Sequence, residues 1–209
     1  MIKIWGRNTS SNVQKAMWAV GELGLEHTRI DVGGAFGKNR EAPYLAMNPN
    51  GLVPTLEEED GFLLWESNSI VRYLAGKHDK AGVLEPKDPR QRALASQWMD
   101  WQLSVVALAI TPAFWGLIRT PPDKRDMAAI KASQDKTTDA MKMLDAQLAK
   151  TAYVAGPAFS YGDIPAAVMC YRYRQLVPGR PPTPNLDRWY DAIAKRKPFH
   201  DNVGSIPLS

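Results

Sequence analysis

The chain has 209 residues, of which 44% are hydrophobic and 23% are charged, a composition typical of a folded globular protein. Its net charge of +4 permits a nucleic-acid partner, but the basic residues are scattered along the chain. The densest basic region, residues 77–92, is interrupted by acids and lacks the interleaved aromatic residues of a single-strand binding groove. We therefore expect no nucleic-acid partner.

Cysteine and histidine usage argues against resident redox or metal chemistry. Cys170 is the one cysteine, so an internal disulfide and a CxxC redox pair are both excluded. The histidines are isolated from one another and lack metal-binding spacing such as HExxH. The first residues lack the apolar run of a signal peptide, and we expect no later stretch to approach the roughly 18 apolar residues of a membrane span. These observations predict a cytoplasmic protein with no metal site and no membrane partner.

The first half of the chain alternates between strand and helix patterns. Residues 2–5 alternate like a short strand, and apolar residues then recur at helical spacing from Val13 until Gly24 ends the helix. The predicted elements are strands at 2–5, 28–32, 53–57 and 62–65, and helices at 13–23, 40–46 and 67–78. Their order predicts an α/β domain over residues 1–78 with a thioredoxin-like fold, in which helices cover a mixed four-stranded sheet.

The second half is predicted to be helical. Residues 79–88 are rich in Lys, Asp, Gly and Pro, as expected of a linker between domains. Beyond them apolar residues recur at spacings of three and four, and Pro112 marks a kink or break. The predicted helices cover residues 88–118, 123–150, 161–176 and 185–196. Residues 89–209 therefore form a predicted all-α C-terminal domain.

A capping box marks the start of one of these helices. Ser160 is followed three residues later by Asp163, and Phe159 and Ile164 form the accompanying hydrophobic staple. The box predicts that Ser160 has a structural role in folding and not a catalytic one. Removing its hydroxyl is expected to lower the free energy of unfolding by about 1 kcal/mol through the lost cap.

Two motifs carry a resemblance to a known family. The segment NPNGLVPTL spans residues 48–56, and WESNSI follows at residues 65–70 after a short hairpin. With these motifs and the capping box, nearly the whole chain resembles the cytosolic glutathione S-transferases, and most closely bacterial theta-like members of the serine type. The resemblance implies a cytoplasmic homodimer acting in detoxification, with glutathione as co-substrate.

The resemblance also implies which residues hold glutathione. The Val53-Pro54 bond would be cis, and the Val53 backbone would pair with the cysteinyl part of the ligand. Ser67, at a helix start, would bind the γ-glutamyl carboxylate, and Glu66 would take the ammonium group. The remaining implied ligand-binding residues are Asn12, Lys38, Asn39, Asn50 and Asn68. Asn39 or Lys38 would reach the glycine end. Many relatives carry a His, Gln or Lys near residues 51–52, and here a partner chain, Asn50 or Lys38 would replace it, or glutathione would bind weakly.

The catalytic group of the family lies near the start of the first helix. Here Thr9, Ser10, Ser11 and Asn12 occupy that region. Aligning Lys15 with the basic residue that follows the catalytic serine in serine-type members selects Ser11, with Ser10 as the second choice. Either serine could equally be a helix cap. As a catalytic group, the hydroxyl would donate a hydrogen bond to the glutathione sulfur and favour the thiolate.

The electrophile would bind near the end of the long predicted helix. Phe114, Trp115 and Arg119 are the candidate contacts, and an arginine beside aromatic rings suits an anionic or electron-poor aromatic substrate. A conjugating transferase is the predicted function. A glutathione-dependent disulfide reductase or dehalogenase, or a non-catalytic binding module of the same fold, remains as the alternative.

Overall fold

The computed structural model describes residues 1–209, and the chain separates into two compact units. The first unit contains Met1–Glu85 together with Lys197–Pro207. The second contains Pro86–Arg196 with Leu208–Ser209. The sequence predicts a second domain over residues 89–209. In the structure, Lys197–Pro207 belongs to the first unit instead.

The first unit is built on a small mixed sheet. Strands lie in the order β2-β1-β3-β4, with β1 parallel to β2 and antiparallel to β3, and β3 and β4 form an antiparallel pair. Its strands and helices are β1 (Ile2–Trp5), α1 (Ser11–Glu22), β2 (His27–Ile30), α2 (Ala42–Met47), β3 (Thr55–Glu57), β4 (Leu63–Trp65) and α3 (Ser67–His78). The predicted mixed four-stranded sheet is confirmed.

Apolar faces of the strands and helices form the core of this unit. Ile4 and Leu56 are fully buried on adjacent strands, and Trp18, Ile70 and Leu74 are fully buried on α1 and α3. The two helices pack against each other. Ile2 and Ile4 alternate with less buried residues along β1, as the sequence pattern predicts. The helical spacing of apolar residues in α1 and α3 likewise predicts which residues form this core.

The C-terminal segment adds a short helix, α9 (Lys197–Phe199), and a π-helical turn at His200–Gly204. Phe199 is buried, and its ring lies edge-on to that of Trp18, with 4.9 Å between the ring centroids. Pro198 lies against Gly21, on the same helix as Trp18. These contacts with α1 explain why the segment belongs to the first unit.

The second unit is entirely helical, apart from one isolated β-bridge between Tyr153 and Gly156, which confirms the predicted class. The helical run from Pro89 to Arg119 continues past Pro112 and includes π-helical turns at Gln102–Val106 and Trp115–Arg119. The α-helices are α4 (Pro89–Trp101), α5 (Ala107–Phe114), α6 (Met127–Leu148), α7 (Asp163–Leu176) and α8 (Pro184–Ala194).

Asp163 is fully buried at the start of α7. Its Oδ2 accepts hydrogen bonds from the Ser160 amide (2.9 Å) and hydroxyl (3.2 Å), and its Oδ1 accepts from the Val154 amide (3.0 Å) and Trp189 Nε1 (2.8 Å). Burial raises the pKa of this carboxyl to about 6, although the four donors act in the opposite direction. The Asp163 side chain therefore forms one half of the predicted capping box, the bond to the Ser160 amide, whereas α7 begins only at Asp163 with Gly162 as its N-cap residue. It also ties α7 to the preceding loop and to α8.

The segment Pro89–Arg119 corrects one expectation from the sequence. It is the single helical run that is long and apolar enough to cross a membrane by length and composition, since residues 101–118 carry no charged side chain. One such helix is weak evidence for a membrane span, because core helices of soluble proteins pass the same test. However, only 28% of the 18-residue apolar stretch within this run is buried. The run therefore presents an exposed apolar face.

Candidate functional site

The sheet brings three chain segments to one of its ends. Trp5, the last residue of β1, pairs with Thr55, the first residue of β3, and Thr55 also pairs with Trp65, the last residue of β4. The loop into α1 follows Trp5, Val53-Pro54 precedes Thr55, and α3 begins two residues after Trp65. The start of α1, the Val53-Pro54 pair and the start of α3 therefore emerge at the same end of the sheet.

A close contact joins two of these segments. A β-carbon added to Gly6 would lie 2.4 Å from Val13 Cγ2 and 3.2 Å from Val53 Cβ, and the φ of Gly6 is 153°. Val53 therefore packs beside the loop that leads into α1. The Val53-Pro54 bond is cis, as the sequence resemblance implies.

The two serines at the start of α1 differ in position. Ser10 is the N-cap residue, is 9% exposed and makes no capping hydrogen bond through its side chain. Ser11 is the first helical residue and is half-buried, while Asn12 is exposed. Lys15 on the next turn is fully buried. A hydroxyl at either serine position adjoins the first free N–H groups of a 12-residue helix.

The start of α3 combines buried polar residues with an unusual backbone. Ser67 and Asn68 are 3% and 2% exposed, and Glu66 before them is exposed and has a positive φ of 71°. A positive φ at a residue other than glycine carries a conformational cost, and such residues are enriched at functional sites. The first N–H groups of α3 and its dipole favour an anion at this position.

The residues proposed for the glycine end are held by hydrogen bonds between two loops. Asn39 Nδ2 donates to the Gly51 carbonyl (2.8 Å), and the Asn50 amide groups donate to Asn48 Oδ1. The side chains of Asn39 and Asn50 are therefore used within the chain. Lys38 is exposed and has a positive φ of 66°.

Arg40 is a cation that the sequence analysis did not select. Its guanidinium donates to the Asn50 carbonyl (3.1 Å) and lies against Gly51, yet the residue is exposed. It follows Asn39 directly, so a search for any basic residue in this loop would have found it. Arg40 is therefore a positive charge beside residues 50–51, and Lys38 is a second exposed cation two residues earlier in the same loop.

Arg7 is a second basic residue that the sequence analysis missed. Its side chain covers Gly34, where an added β-carbon would lie 2.8 Å from Arg7 Cδ. The same guanidinium lies near Gly33, which also contacts Val53. Arg7 thus links the loop before α1 to the glycine-rich loop after β2.

A buried network fixes the approach to Pro54. The Tyr44 hydroxyl donates to the Leu52 carbonyl (2.7 Å) and lies 2.9 Å from Thr55 Oγ1, and Asn48 Nδ2 also donates to the Leu52 carbonyl (2.9 Å). Burial raises the pKa of Tyr44, so its hydroxyl stays protonated and serves as a donor at neutral pH. The backbone at residues 52–55 is therefore held from α2.

The residues proposed to contact the electrophile lie together in the second unit. Phe114 ends α5 and has the Arg172 guanidinium 4.5 Å and the Arg119 guanidinium 5.8 Å from its ring centroid. Trp115 is 58% exposed. Arg119 is also exposed and donates to the Ser209 carbonyl (2.6 Å). Phe114 and Arg119 are therefore in contact, whereas Trp115 is their exposed neighbour in the chain.

Neither metal ligands nor a reactive thiol accompany these residues. No group of three or more His, Cys, Asp or Glu side chains is arranged to hold a metal ion. Cys170 is fully buried, and burial raises the pKa of its thiol to about 12. A thiolate from this cysteine is therefore not formed in the folded chain at neutral pH.

Comparison with known proteins identifies similar chains along the full length. The family model described as the glutathione S-transferase N-terminal domain matches residues 9–77, and the one for the C-terminal domain matches residues 105–197. The chain is 43% identical to glutathione S-transferase GstB of Escherichia coli, over 100% of both chains. It is 27% identical to glutathione S-transferase 3 of Zea mays, over 99% of this chain and 95% of the other.

A solved structure is similar over the same extent. The theta class glutathione S-transferase from Xanthomonas axonopodis pv. citri, solved with glutathione bound, superposes with a TM-score of 0.94 and 43% identity. The match covers 100% of this chain and 99% of that one.

Proposed function

The chain belongs to the glutathione S-transferase family, and we propose that it activates glutathione as a thiolate and transfers it to a small hydrophobic electrophile. The observation that supports the proposal most directly is the register of Trp5, Thr55 and Trp65. Because of it, two helix N-termini and the Val53-Pro54 pair share one end of the sheet. Two helix N-termini at one place favour two negative groups on a single ligand.

In this proposal the sulfur of glutathione lies at the start of α1. Ser11 donates a hydrogen bond to it, and the positive end of the α1 dipole adds to the same effect, so both favour the thiolate over the thiol. Ser10 is the alternative donor, because its hydroxyl is not used as a helix cap. Serine acts here as a donor and not as a nucleophile, and Asn12 on the same turn contacts the ligand.

The γ-glutamyl end of glutathione lies at the start of α3. Ser67 and the free N–H groups of α3 bind the carboxylate, and Asn68 completes the cluster. Glu66 takes the ammonium group, and its positive φ of 71° supports a constrained role at the ligand. The Val53 backbone pairs with the cysteinyl part.

The glycine carboxylate is bound by positive charge from the loop after β2. Lys38 and Arg40 supply that charge, since both are exposed in this loop and Arg40 lies beside residues 50–51. Asn39 and Asn50 act mainly by holding this loop, because their side-chain amides donate within the chain.

The electrophile contacts Phe114, Trp115 and Arg119. An exposed guanidinium beside the Phe114 ring, with the exposed Trp115 next to it in the chain, favours an electron-poor aromatic or anionic substrate. The alternative readings, a disulfide reductase, a dehalogenase or a non-catalytic module, are not favoured by the relatives, which are named as transferases. The high pKa of Cys170, about 12, also opposes a reductase that uses its own thiol.

We also propose that the protein is a cytoplasmic homodimer that acts in detoxification. The run Pro89–Arg119 leaves apolar residues exposed, and a second copy of the chain would cover them. Besides Trp115, which is proposed to contact the electrophile, the exposed apolar residues of this run include Leu94, Leu103, Val105, Leu108 and Ile118. Sedimentation equilibrium should give twice the mass of one chain, and a monomer at micromolar concentration would reject the dimer.

The experiment that tests the catalytic proposal is a conjugation assay with a nitrohaloarene and an epoxide. Ser11→Ala is expected to lower kcat/KM about tenfold or more, corresponding to about 1.4 kcal/mol of lost transition-state stabilisation. Ser10→Ala is expected to have a smaller effect, and Ser104→Ala, which changes an exposed serine of the second unit, serves as the matched control. If neither Ser11→Ala nor Ser10→Ala slows an active wild type, the assignment of the hydrogen-bond donor is wrong.

A further inference from the structure

A polar cavity of about 300 Å³ lies within the first unit, against α1 and the C-terminal segment. None of its lining residues is used in the proposed glutathione site. The lining consists of Asn8, Gln14, Met17, Arg29, Asp201, Asn202, Ser205 and Ile206. Three carboxamides and a hydroxyl thus face a space large enough for a small organic molecule.

Gln14 is the most unusual member of this lining. The residue is 2% exposed, and its Oε1 accepts no hydrogen bond from the chain. A buried polar atom without a partner is costly, and native proteins rarely leave one without a water or a ligand. Because Gln14 lines the cavity, a molecule bound there could supply the missing donor to Oε1.

The two charged residues of the lining are already neutralised. Arg29 pairs with Asp31 and also donates to the Gly6 carbonyl (3.0 Å). Asp201 pairs with Lys197, and His200 Nδ1 lies 3.5 Å from its carboxylate. A charged ligand would consequently displace an existing ion pair, whereas an uncharged ligand would leave both pairs intact.

The remaining polar groups match an amide. A carboxamide presents a carbonyl acceptor and an N–H donor side by side, so it forms two parallel hydrogen bonds with a group that presents the reverse pattern. Asn202 offers a further acceptor, because its Nδ2 already donates to the Pro198 carbonyl (2.9 Å). Met17 and Ile206 supply apolar wall for the body of the ligand.

We propose that this cavity binds a small, uncharged molecule carrying a primary carboxamide, which pairs with the Gln14 carboxamide. The site is separate from the residues proposed to hold glutathione. Its occupant is recognised by adjacent donor and acceptor groups and not by charge.

Calorimetry with benzamide as the probe tests this proposal in the absence of glutathione, so the result does not depend on transferase activity. The wild type is expected to bind benzamide, and Gln14→Met, of similar volume, is expected to bind it about tenfold more weakly because the paired hydrogen bonds are lost. Gln175→Met, which changes an exposed glutamine of the second unit, is the matched control and should bind like the wild type. Circular dichroism and the melting temperature verify that each variant is folded.

Two further probes on the wild type make the test independent of any variant. N,N-Dimethylbenzamide has the same ring but no N–H donor, and benzoate replaces the amide by a charge; both should bind about tenfold more weakly than benzamide or worse. The proposal is overturned if benzamide gives no heat at millimolar concentration, as expected of a cavity that holds only water. Equal binding of benzamide and dimethylbenzamide, stronger binding of benzoate, or undiminished binding by Gln14→Met would overturn it as well.

Discussion

Val13 packs so closely on Gly6 that a β-carbon at Gly6 would lie 2.4 Å from Val13 Cγ2. This contact sets the distance between the loop before α1 and the helix itself, and the same glycine also borders Val53. A side chain at Gly6 would therefore push α1 and Val53 apart, and these are two of the segments proposed to hold glutathione.

Gly6→Ala is expected to lower the free energy of unfolding by about 1 to 3 kcal/mol through overpacking, and also to weaken glutathione binding. Urea denaturation and titration calorimetry measure the two effects. Gly24→Ala is the control, because Gly24 also has a positive φ, of 61°, but has open space around its β-carbon position. If Gly6→Ala binds glutathione as tightly as the wild type, the contact does not shape the site.

Ser67→Ala is expected to raise the Kd for glutathione about tenfold, because a hydrogen bond to a charged group typically contributes about 1.5 to 3 kcal/mol. Ser69→Ala, two residues further along α3, is the matched control and should change the Kd little. Titration calorimetry with glutathione alone gives the comparison. Equal loss in both variants would indicate a general effect on α3 and not a contact with the carboxylate.

Local pattern predicted some elements of the site well. The predicted helix at 67–78 coincides with α3 because the apolar spacing continues to the end of the helix, although Glu66 before it has a positive φ that local pattern does not reveal. By contrast, the strand predicted at 53–57 begins at Thr55, since the cis Val53-Pro54 pair precedes the ladder.

Other features depend on contacts between residues far apart in the sequence. The docking of Phe199 on Trp18 leaves no local signal, so residues 197–207 were predicted to belong to the helical domain. The roles of Arg7 and Arg40 likewise depend on which loops they cover. For the same reason, sequence could name both serines at the start of α1 but could not reveal that Ser10 makes no capping hydrogen bond through its side chain.

Cys170 is expected to be inert in the folded protein. Because burial raises the pKa of its thiol to about 12, a disulfide reagent such as Ellman's reagent should not label it at pH 8 in buffer, but should label it fully in urea. Cys170→Ala should retain conjugating activity within about twofold. Rapid labelling of the native protein, or loss of activity in the variant, would show that the thiol is accessible or used.

Asp163→Asn is expected to destabilise the second unit by about 2 to 4 kcal/mol. The substitution replaces one acceptor oxygen by an NH2 group, which would then face N–H or O–H donors and lose their hydrogen bonds. The four hydrogen bonds to Asp163 come from Ser160, Val154 and Trp189. Asp191→Asn, on the exposed face of α8, is the control. Urea denaturation at neutral pH measures both.

The same variant tests the pKa of Asp163. The folded-state pKa of about 6 lies above the value of roughly 3.9 expected in the unfolded chain, so the folded state binds the proton first. The stability contributed by this group therefore rises as the pH falls through 6 and is complete below about 4. Because Asn does not titrate, the difference in the free energy of unfolding between wild type and variant should widen by about 2 kcal/mol from pH 7 to pH 4, and a constant difference would contradict the raised pKa.

Asp79, after the end of α3, should show the opposite dependence on pH. Burial raises the pKa of its carboxyl, but backbone N–H donors from Glu85, Val83 and Leu84 lower it by more, so the net pKa is below its usual value. Its stabilising contribution is therefore present at neutral pH and is lost as the pH falls through the depressed folded-state pKa. Asp79→Asn should lower the free energy of unfolding by about 1 kcal/mol at pH 7, as for a lost helix cap. The difference in free energy of unfolding between variant and wild type should narrow below about pH 4. Asp123→Asn is the exposed control, and a gap that stays constant to pH 2 in urea titrations would show that the N–H groups do not depend on the charge of Asp79.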